Sequence, residues 1–295
     1  MRFFFLTFLS LLVNTPEKTD EYNVFYTDKD VEIFNEYISE FEDKIDEPIG
    51  ELIVETGKYF LDTPYVGYTL ESREPEELIV NLRELDCVTF VESTIALVQT
   101  LKSGRHTFEN YCHNLKNLRY RQGELKDFTS RLHYFSDWIW DKQEMGILED
   151  YTEALGGDPY HIHPKIMSKR PHLYRQLVNN PEYIPVISEI EDRMKDRRMY
   201  SVPQAMAGKL DDKLENGMVL GMTTNTNMDV AHVGFICFVD GKPHFMHASS
   251  EHKKVVLTDY TIEDYLKRVK AMVGFMAAKV KDSENGQLMM ADISR

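Results

Sequence analysis

Cysteine is scarce in this sequence, with three residues among 295. Such a small, odd number excludes a dense disulfide framework, although one disulfide between two of the three cysteines stays open. At least one thiol is then left without an intrachain partner. In an exported protein, an unpaired thiol invites a catalytic explanation.

Basic residues are outnumbered by acidic ones, 34 against 49, which gives a formal net charge of −15. This excess of negative charge disfavours nucleic acid and anionic membrane surfaces as partners, because both are polyanions. A cationic surface for binding a substrate would therefore have to be local.

Long hydrophobic runs are absent except near the start of the sequence, where Phe3–Val13 follow a single positive charge at Arg2. An apolar run of about a dozen residues matches a secretory signal peptide, whereas a membrane-spanning helix needs roughly 20. The sequence thus predicts a signal peptide over residues 1–14. It also predicts an exported protein, periplasmic or extracellular, with no stable membrane insertion after processing.

The order of the hydrophobic patterns predicts an α+β protein. Apolar residues at helical spacing dominate until Gly217, and short strands separated by turns such as Asp240-Gly241 follow. Without repeats, low-complexity tracts or linkers, residues 15–295 are expected to form one domain with an N-terminal helical addition. The predicted helices are Asp30–Phe41, Pro48–Leu61, Cys87–Lys102, Phe108–Leu118, Tyr134–Gln143, Glu182–Lys195 and Thr261–Val269. The predicted strands are Met218–Met222, Val230–Val239, Lys242–Ala248, Lys254–Leu257 and Val273–Val280.

Cys87 lies at the predicted start of a helix, directly after Asp86, which can cap that helix. Unpaired backbone N–H groups and the helix dipole stabilise negative charge there, so the pKa of the thiol is expected to fall. The same N–H groups could bind the oxyanion of a tetrahedral intermediate. The alternative is that Cys87 is a small buried hydrophobe, since Phe90 and Val91 share its side of the helix.

Two histidines supply the other parts that a cysteine nucleophile needs, a base and a group that orients it. His232 begins an apolar strand on which Gly234 shares its face, whereas Cys237 points the other way. The next strand carries His247, so antiparallel pairing of the two strands would make the histidines neighbours. The combination favours a thiol hydrolase.

The remaining two cysteines and a pair of histidines are not expected to take part in catalysis or metal binding. Cys237 lies on the opposite face from His232, and Cys112 lies inside a predicted helix. His161 and His163 could suggest a metal site, but no carboxylate or further histidine stands at ligand spacing around them. A pair of solvated histidines explains them better, and no metal or cofactor is expected.

These motifs resemble those of the NlpC-type cell-wall hydrolases, a papain-like superfamily of cysteine peptidases and amidases. Asp86-Cys87, His232–Gly234 and His247 match its Asp-Cys helix start, its His-Val-Gly strand and its third polar residue. Thr63–Gly67 resembles the superfamily's Pro-Tyr segment, whose tyrosine lines the site. Within the superfamily, the chain is most similar to a branch of N-acetylmuramoyl-L-alanine amidases. The segments that carry this closer likeness are Leu85–Glu92, Arg131–Trp138, Asp229–Gly234 and His247–Ser250.

The resemblance implies a papain-like fold in which Cys87 attacks the amide between N-acetylmuramic acid, in reducing or anhydro form, and L-alanine. It implies that His232 acts as base and acid, that His247 orients His232, and that the Tyr65 hydroxyl helps the Cys87 amide to hold the oxyanion. The expected partners are soluble muropeptide fragments of the bacterial cell wall, acted on by a monomer.

Substrate-binding residues are predicted mainly on the aromatic segment around Trp138, because an indole offers sugars a flat apolar face. The predicted set is Tyr134, Asp137, Trp138, Asp229 and Ser249. The alternative is that the aromatic helix belongs to the core. Two other functions stay open: an endopeptidase that cuts the D-glutamyl–diamino acid bond with the same triad, and a non-enzymatic muropeptide- or carbohydrate-binding module.

Overall fold

The structure, a computed structural model, describes residues 22–71, 74–161, 163–225 and 229–282. The predicted signal peptide, residues 1–14, lies outside these ranges. The helices are α1 (Asp28–Phe41), α2 (Ile49–Tyr59), α3 (Cys87–Lys102), α4 (Phe108–Arg119), α5 (Phe135–Glu144), α6 (Ile166–Lys169), α7 (Arg175–Asn179), α8 (Tyr183–Met194) and α9 (Ile262–Arg268). The strands are β1 (Val24–Phe25), β2 (Leu78–Ile79), β3 (Leu148–Asp150), β4 (Asp158–Pro159), β5 (Tyr200–Pro203), β6 (Val219–Thr224), β7 (Val230–Val239), β8 (Lys242–Ser249), β9 (Lys254–Thr261) and β10 (Met272–Val280).

One antiparallel sheet organises the C-terminal part of the chain. Its strands lie in the order β4-β5-β10-β6-β7-β8-β9, and β3 adds to β10. All of these pairings are antiparallel, whereas β1 and β2 form a small separate parallel pair. The predicted α+β class, with helices first and a mostly antiparallel sheet after them, is therefore confirmed. Within the described ranges, no helix is long and apolar enough to cross a bilayer.

The hairpin of β7 and β8 sets the register of the central strands. Its turn is Asp240-Gly241, with φ angles of 49° and 76°, and Val239 pairs with Lys242 across it. Positive φ at both central residues is the geometry that Asp-Gly turns favour in hairpins. The register continues to the pair Phe235 and Met246, so the start of β7 lies beside the end of β8.

The sheet has a buried core on each face because side chains alternate along its strands. Val233, Phe235 and Cys237 pack with α3 on one face, where the rings of Phe90 and Phe235 meet edge-on with centroids 5.5 Å apart. Ile236 belongs to the core on the other face, which includes residues of α9. The sequence-based division of β7 into two faces is consistent with these two cores.

α3 is held in place by packing against α2, α4 and β7 and by a buried ion pair. Arg119 of α4 donates to the Glu92 carboxylate at 2.8 Å, and both side chains are 3% exposed. Arg119 also donates to the backbone carbonyl of Ile79. A buried pair of this kind needs its additional hydrogen bonds to offset desolvation. The N-terminus of α3 is thus presented to the sheet by a rigid support.

Candidate active site

The first turn of α3 begins with a capping box that leaves one amide available at Cys87. The Asp86 carboxylate accepts from the amides of Val88 at 3.1 Å and Thr89 at 2.8 Å, and the Thr89 hydroxyl accepts from the Asp86 amide at 2.8 Å. Among the described residues, no acceptor is found for the Cys87 amide. This amide lies close enough to its own sulfur to favour the thiolate.

The half-buried Cys87 thiol has a raised pKa, which differs from the lowered value expected from its place on the helix. Burial is the main cause, and the negative charge of Asp86 adds to it; together they raise the pKa to about 12. The amides of Val233, Cys87 and Val88 act in the opposite direction but are outweighed. The cap that begins the helix therefore partly cancels the dipole effect that the sequence suggests. The resting group is a neutral thiol.

His232 and His247 are neighbours, as the predicted strand pairing requires. Nε2 of His232 lies 2.6 Å from Nδ1 of His247, and the two rings are perpendicular with centroids 4.7 Å apart. Burial lowers the pKa of His232 to about 4 and that of His247 to about 3, the latter helped by His232 and His252. Both imidazoles are therefore neutral at neutral pH. If His232 carries its proton on Nε2, its Nδ1 is free to accept another.

Cys87, the first residue of α3, lies beside the start of β7, the strand that carries His232. The Val233 amide is near enough to its sulfur to act as a hydrogen-bond donor. Among the described residues, however, no hydrogen bond joins the thiol to the His232 imidazole. Contacts between nucleophile and base are often loose before substrate binds, so this geometry is compatible with a thiol–imidazole pair that closes during catalysis.

Tyr65 lies on a segment that contacts both the β8–β9 turn and the residues just before α3. Its amide donates to the Lys253 carbonyl at 2.9 Å, and it forms an isolated parallel bridge with Leu85. Burial raises the pKa of its phenol, and the nearby acidic groups of Cys87 and Asp86 raise it further. The Tyr65 side chain is therefore a neutral hydroxyl within electrostatic reach of the thiol.

The aromatic helix α5 is part of the core. Trp138 is 1% exposed and stacks on Phe135 with ring centroids 4.9 Å apart. The Tyr134 hydroxyl is also buried and donates to Glu191 at 2.6 Å. The partly exposed indole of this helix is Trp140, which lies under the Arg197 guanidinium. Burial favours the core interpretation of Tyr134 and Trp138 that the sequence left open.

Asp137 is fully buried and is the centre of an arginine cluster. Its two carboxylate oxygens accept from Arg121 at 3.0 and 2.6 Å, and Arg197 also donates to it. The two guanidiniums lower the pKa of this carboxyl, although burial opposes them. No local pattern connects these arginines with Asp137, because they are distant in the sequence.

Asp229 and Ser249 flank the histidine strands and are buried. Oδ2 of Asp229 accepts from the Ser136 amide at 2.8 Å, while its Oδ1 has no partner among the described residues. Burial raises the pKa of this carboxyl to about 6. Ser249 is the last residue of β8, and its hydroxyl accepts from the amide of His252, in the turn that follows, at 3.1 Å.

We expect Trp138→Ala to destabilise the protein by about 3 kcal/mol or more, because removing a buried indole leaves a large cavity. Trp140→Ala is the matched control, since the second tryptophan of the same helix is partly exposed. Urea unfolding of both variants measures the difference. A stable Trp138→Ala variant with a raised KM would instead support substrate binding by this indole.

Tyr265 of α9 also belongs to this site, and the sequence analysis did not identify it. Its buried ring lies 5.4 Å from the ring of His247 and 6.4 Å from that of His232. The helical pattern of α9 places Ile262, Tyr265 and Leu266 on one buried side. A local pattern of this kind can identify the buried side but not the strand residues that it meets.

The structure contains no disulfide: Cys87, Cys112 and Cys237 are all free. Within the described ranges, no cluster of three or more histidine, cysteine or acidic side chains could hold a metal ion. His163 is exposed and contacts Asp192 at 3.3 Å. The three cysteines therefore do not form the disulfide that the sequence left open. Among the described residues, His161 and His163 are not part of a cluster that could hold a metal ion.

Comparison with known families identifies the class of protein. Residues 55–274 match the AmiA-like family, described as N-acetylmuramoyl-L-alanine amidase-like. The chain therefore belongs to this amidase-like family. A comparison with curated proteins found no match.

Structures described as N-acetylmuramoyl-L-alanine amidases are among the solved structures that this chain resembles. The chain is similar to a structure described as an N-acetylmuramoyl-L-alanine amidase from Bacteroides uniformis, with 36% identity, 79% of this chain and 99% of that chain covered, and a TM-score of 0.75. It is also similar to a structure described as a putative xylanase from Bacteroides fragilis, with 34% identity, coverages of 77% and 100%, and a TM-score of 0.73. A Legionella pneumophila protein with 20% identity shares the fold, with coverages of 85% and 94% and a TM-score of 0.66.

Proposed function

We propose that this protein is an exported cysteine amidase that hydrolyses the amide between N-acetylmuramic acid and L-alanine in muropeptide fragments. The observation that carries the proposal is the 2.6 Å contact between His232 and His247 next to the Cys87 helix start. Membership of an amidase-like family supports the bond that is cut. The proposed fold family is papain-like, with the cysteine at a helix N-terminus and the histidines on an antiparallel sheet.

In the proposed reaction, the Cys87 sulfur attacks the lactyl carbonyl while the thiol proton moves to Nδ1 of His232. The tetrahedral oxyanion accepts hydrogen bonds from the Cys87 amide and the Tyr65 hydroxyl. His232 then gives its proton to the α-amine of L-alanine as the C–N bond breaks. Water, deprotonated by His232, hydrolyses the thioester to the free acid and restores the thiol. His247 holds the His232 ring in one orientation throughout.

The resting charges favour a concerted attack rather than a preformed ion pair. Burial raises the pKa of the Cys87 thiol and lowers that of the His232 imidazole, so both groups are neutral before substrate arrives. A thiolate would then form only as the sulfur bonds to carbon. The dry surroundings that disfavour isolated charges strengthen the hydrogen bonds to the developing oxyanion.

Of the predicted substrate-binding residues, Asp229 is the one with a spare acceptor, its buried Oδ1. Because this oxygen is shielded from solvent, we propose that Asp229 supports the substrate-binding surface from within, next to the histidine strand. Tyr134, Asp137, Trp138 and Ser249 would shape the site from beneath its surface, because each is engaged or enclosed within the fold. The proposed substrates are soluble fragments handled by a monomer, and a net charge of −15 is unsuited to nucleic acid.

Mass spectrometry of defined muropeptides incubated with the purified protein tests the proposed bond. We expect free sugar, in its reducing or anhydro form, together with an intact L-alanyl peptide. A sugar that still carries L-Ala-D-Glu would identify a D-glutamyl–diamino acid endopeptidase instead. Absence of any product under reducing conditions would favour a muropeptide-binding module. Efficient release of peptides from intact sacculi would contradict the preference for soluble fragments.

A further inference from the structure

Four aromatic rings form a closed cluster around the histidine pair: those of His232, Phe245, His247 and Tyr265, which we call the four-ring cluster. Every ring in it contacts the other three. The centroid distances are 4.7 Å between the histidines, 4.8 Å from Phe245 to both His247 and Tyr265, 5.4 Å from His247 to Tyr265, 5.8 Å from His232 to Phe245, and 6.4 Å from His232 to Tyr265. The two strands of one hairpin supply three of these rings. Tyr265 is the only member that comes from α9.

α9 fixes the position of the fourth ring. Ile262 and Leu266, on the same side of the helix as Tyr265, are 1% and 0% exposed and belong to the core on that face of the sheet. The Thr261 hydroxyl accepts from the Asp264 amide at 3.3 Å and caps the helix. Tyr265 itself is 9% exposed, so its ring covers the histidines on the α9 side with little freedom to move.

In the described part of the chain, the titratable groups near the cluster act on Tyr265 and His247 rather than on His232. Cys87 of α3, Tyr260 of β9 and Glu251 of the β8–β9 turn raise the pKa of the Tyr265 phenol after burial, the main cause. His252 of that turn acts on His247. On α9 itself, Glu263 pairs with Lys267 at the surface, and Arg268 lies over the Tyr260 ring.

Within the described part of the chain, burial is the cause of the lowered pKa of His232. Exclusion of water, rather than a neighbouring charge, therefore keeps this imidazole neutral. On the α9 side, the ring that packs against the histidine pair is that of Tyr265.

We propose that Tyr265 is a positioning residue for the His232–His247 pair: its ring closes the pair against water and holds the two imidazoles perpendicular. The consequence for catalysis rests on the proposed function, in which neutral His232 is the base. A base that is neutral well below pH 7 remains competent in mildly acidic surroundings. Tyr265 acts through its ring, and the Tyr265→Phe variant should preserve this role.

The test is an NMR titration of the His232 and His247 imidazoles in the wild-type protein and in Tyr265→Ala and Tyr265→Phe variants. We expect Tyr265→Ala to raise the pKa of His232 towards its ordinary value of about 6.5, because water reaches the ring. Tyr265→Phe should titrate as the wild type does. If Tyr265→Ala does not fold, Tyr265→Leu replaces it, since leucine keeps apolar volume but not the planar cover.

Hydrolysis supplies a second readout. A base with a pKa near 6.5 is about tenfold less available at pH 5.5 than at pH 8, so the alanine variant should lose about tenfold at the lower pH while Tyr265→Phe does not. Tyr260→Ala is the matched control, because Tyr260 contacts Tyr265 but lies outside the four-ring cluster. Unchanged imidazole titration in Tyr265→Ala or Tyr265→Leu would overturn the proposal. The titration needs no substrate, so it tests the role of Tyr265 even if the protein does not cleave muropeptides.

Discussion

Replacement of Cys87 by alanine is expected to abolish muropeptide hydrolysis, with kcat falling by about a millionfold. Loss of the nucleophile from a triad has an effect of this order, since base and orienting group then have no reaction to assist. The side chain is small and half-buried, so its truncation should leave the fold intact. Product formation followed by mass spectrometry, with thermal unfolding as the check on folding, measures both properties.

Cys112→Ala is the matched control for this loss. Cys112 is also a free thiol, but it is buried in the helical core and faces no histidine of the site. We expect this variant to cleave muropeptides at close to the wild-type rate. Hydrolysis that survives in Cys87→Ala and disappears in Cys112→Ala would move the nucleophile to the second thiol and refute the proposed site.

Gly234→Ala is expected to lower kcat/KM by roughly 100-fold or more, although residue 234 carries no functional group. A β-carbon at this position would lie 2.4 Å from the Met246 carbonyl oxygen and 2.9 Å from Cβ of His247. Backbone cannot yield as a flexible side chain does, so β7 and β8 must separate. The resulting displacement acts directly on the His232–His247 contact, and a shift of about 1 Å in a catalytic group costs rates of this order.

A glycine that meets the same methionine provides the control. A β-carbon on Gly57 of α2 would approach the terminal methyl of Met246 at 2.3 Å, which is the movable end of a side chain. Gly57→Ala should therefore retain activity, with a modest change in stability from repacking. Steady-state kinetics of the two variants separates the effects. Equal activity of Gly234→Ala and the wild type would show that the histidine contact tolerates strand separation.

Local sequence patterns were sufficient where a structural feature depends on neighbouring residues. α3 runs from Cys87 to Lys102, the range that the sequence predicts, and Asp86 caps it. β7 has its predicted bounds, Val230–Val239, because alternating apolar residues and an Asp-Gly turn define a hairpin without further context. The pairing of the histidine strands follows from the same turn. These elements place three of the proposed catalytic side chains.

The remaining features of the site depend on contacts between distant segments. α5 is only weakly amphipathic, so its sequence pattern does not show that Trp138 is buried and Trp140 partly exposed. The arginines around Asp137 come from segments on both sides of α5 in the sequence. Tyr265 meets the histidines only because α9 folds back on the hairpin. Tertiary packing decides each of these cases.

For the pKa of Cys87, the sequence predicts a decrease, whereas the structure gives an increase. A helix N-terminus alone would stabilise the thiolate, but the residue best suited to start that helix is itself a carboxylate. Burial then adds a cost for charge that the position of a residue in the sequence does not reveal. The sequence shows which charged groups lie near the thiol. Whether the pKa of the thiol rises or falls also depends on how deeply the fold buries it.

The neutral resting thiol has a consequence for the chemical lifetime of the protein. Peroxides and disulfides react with thiolates far faster than with thiols, so a protonated cysteine is protected in an oxidising environment. Cys87 has no disulfide partner, and the other two cysteines are buried. Slow formation of sulfenic acid at Cys87 in dilute peroxide, compared with a surface thiol, would demonstrate this protection. The enclosure that delays ionisation until substrate binds would then also preserve the nucleophile between turnovers.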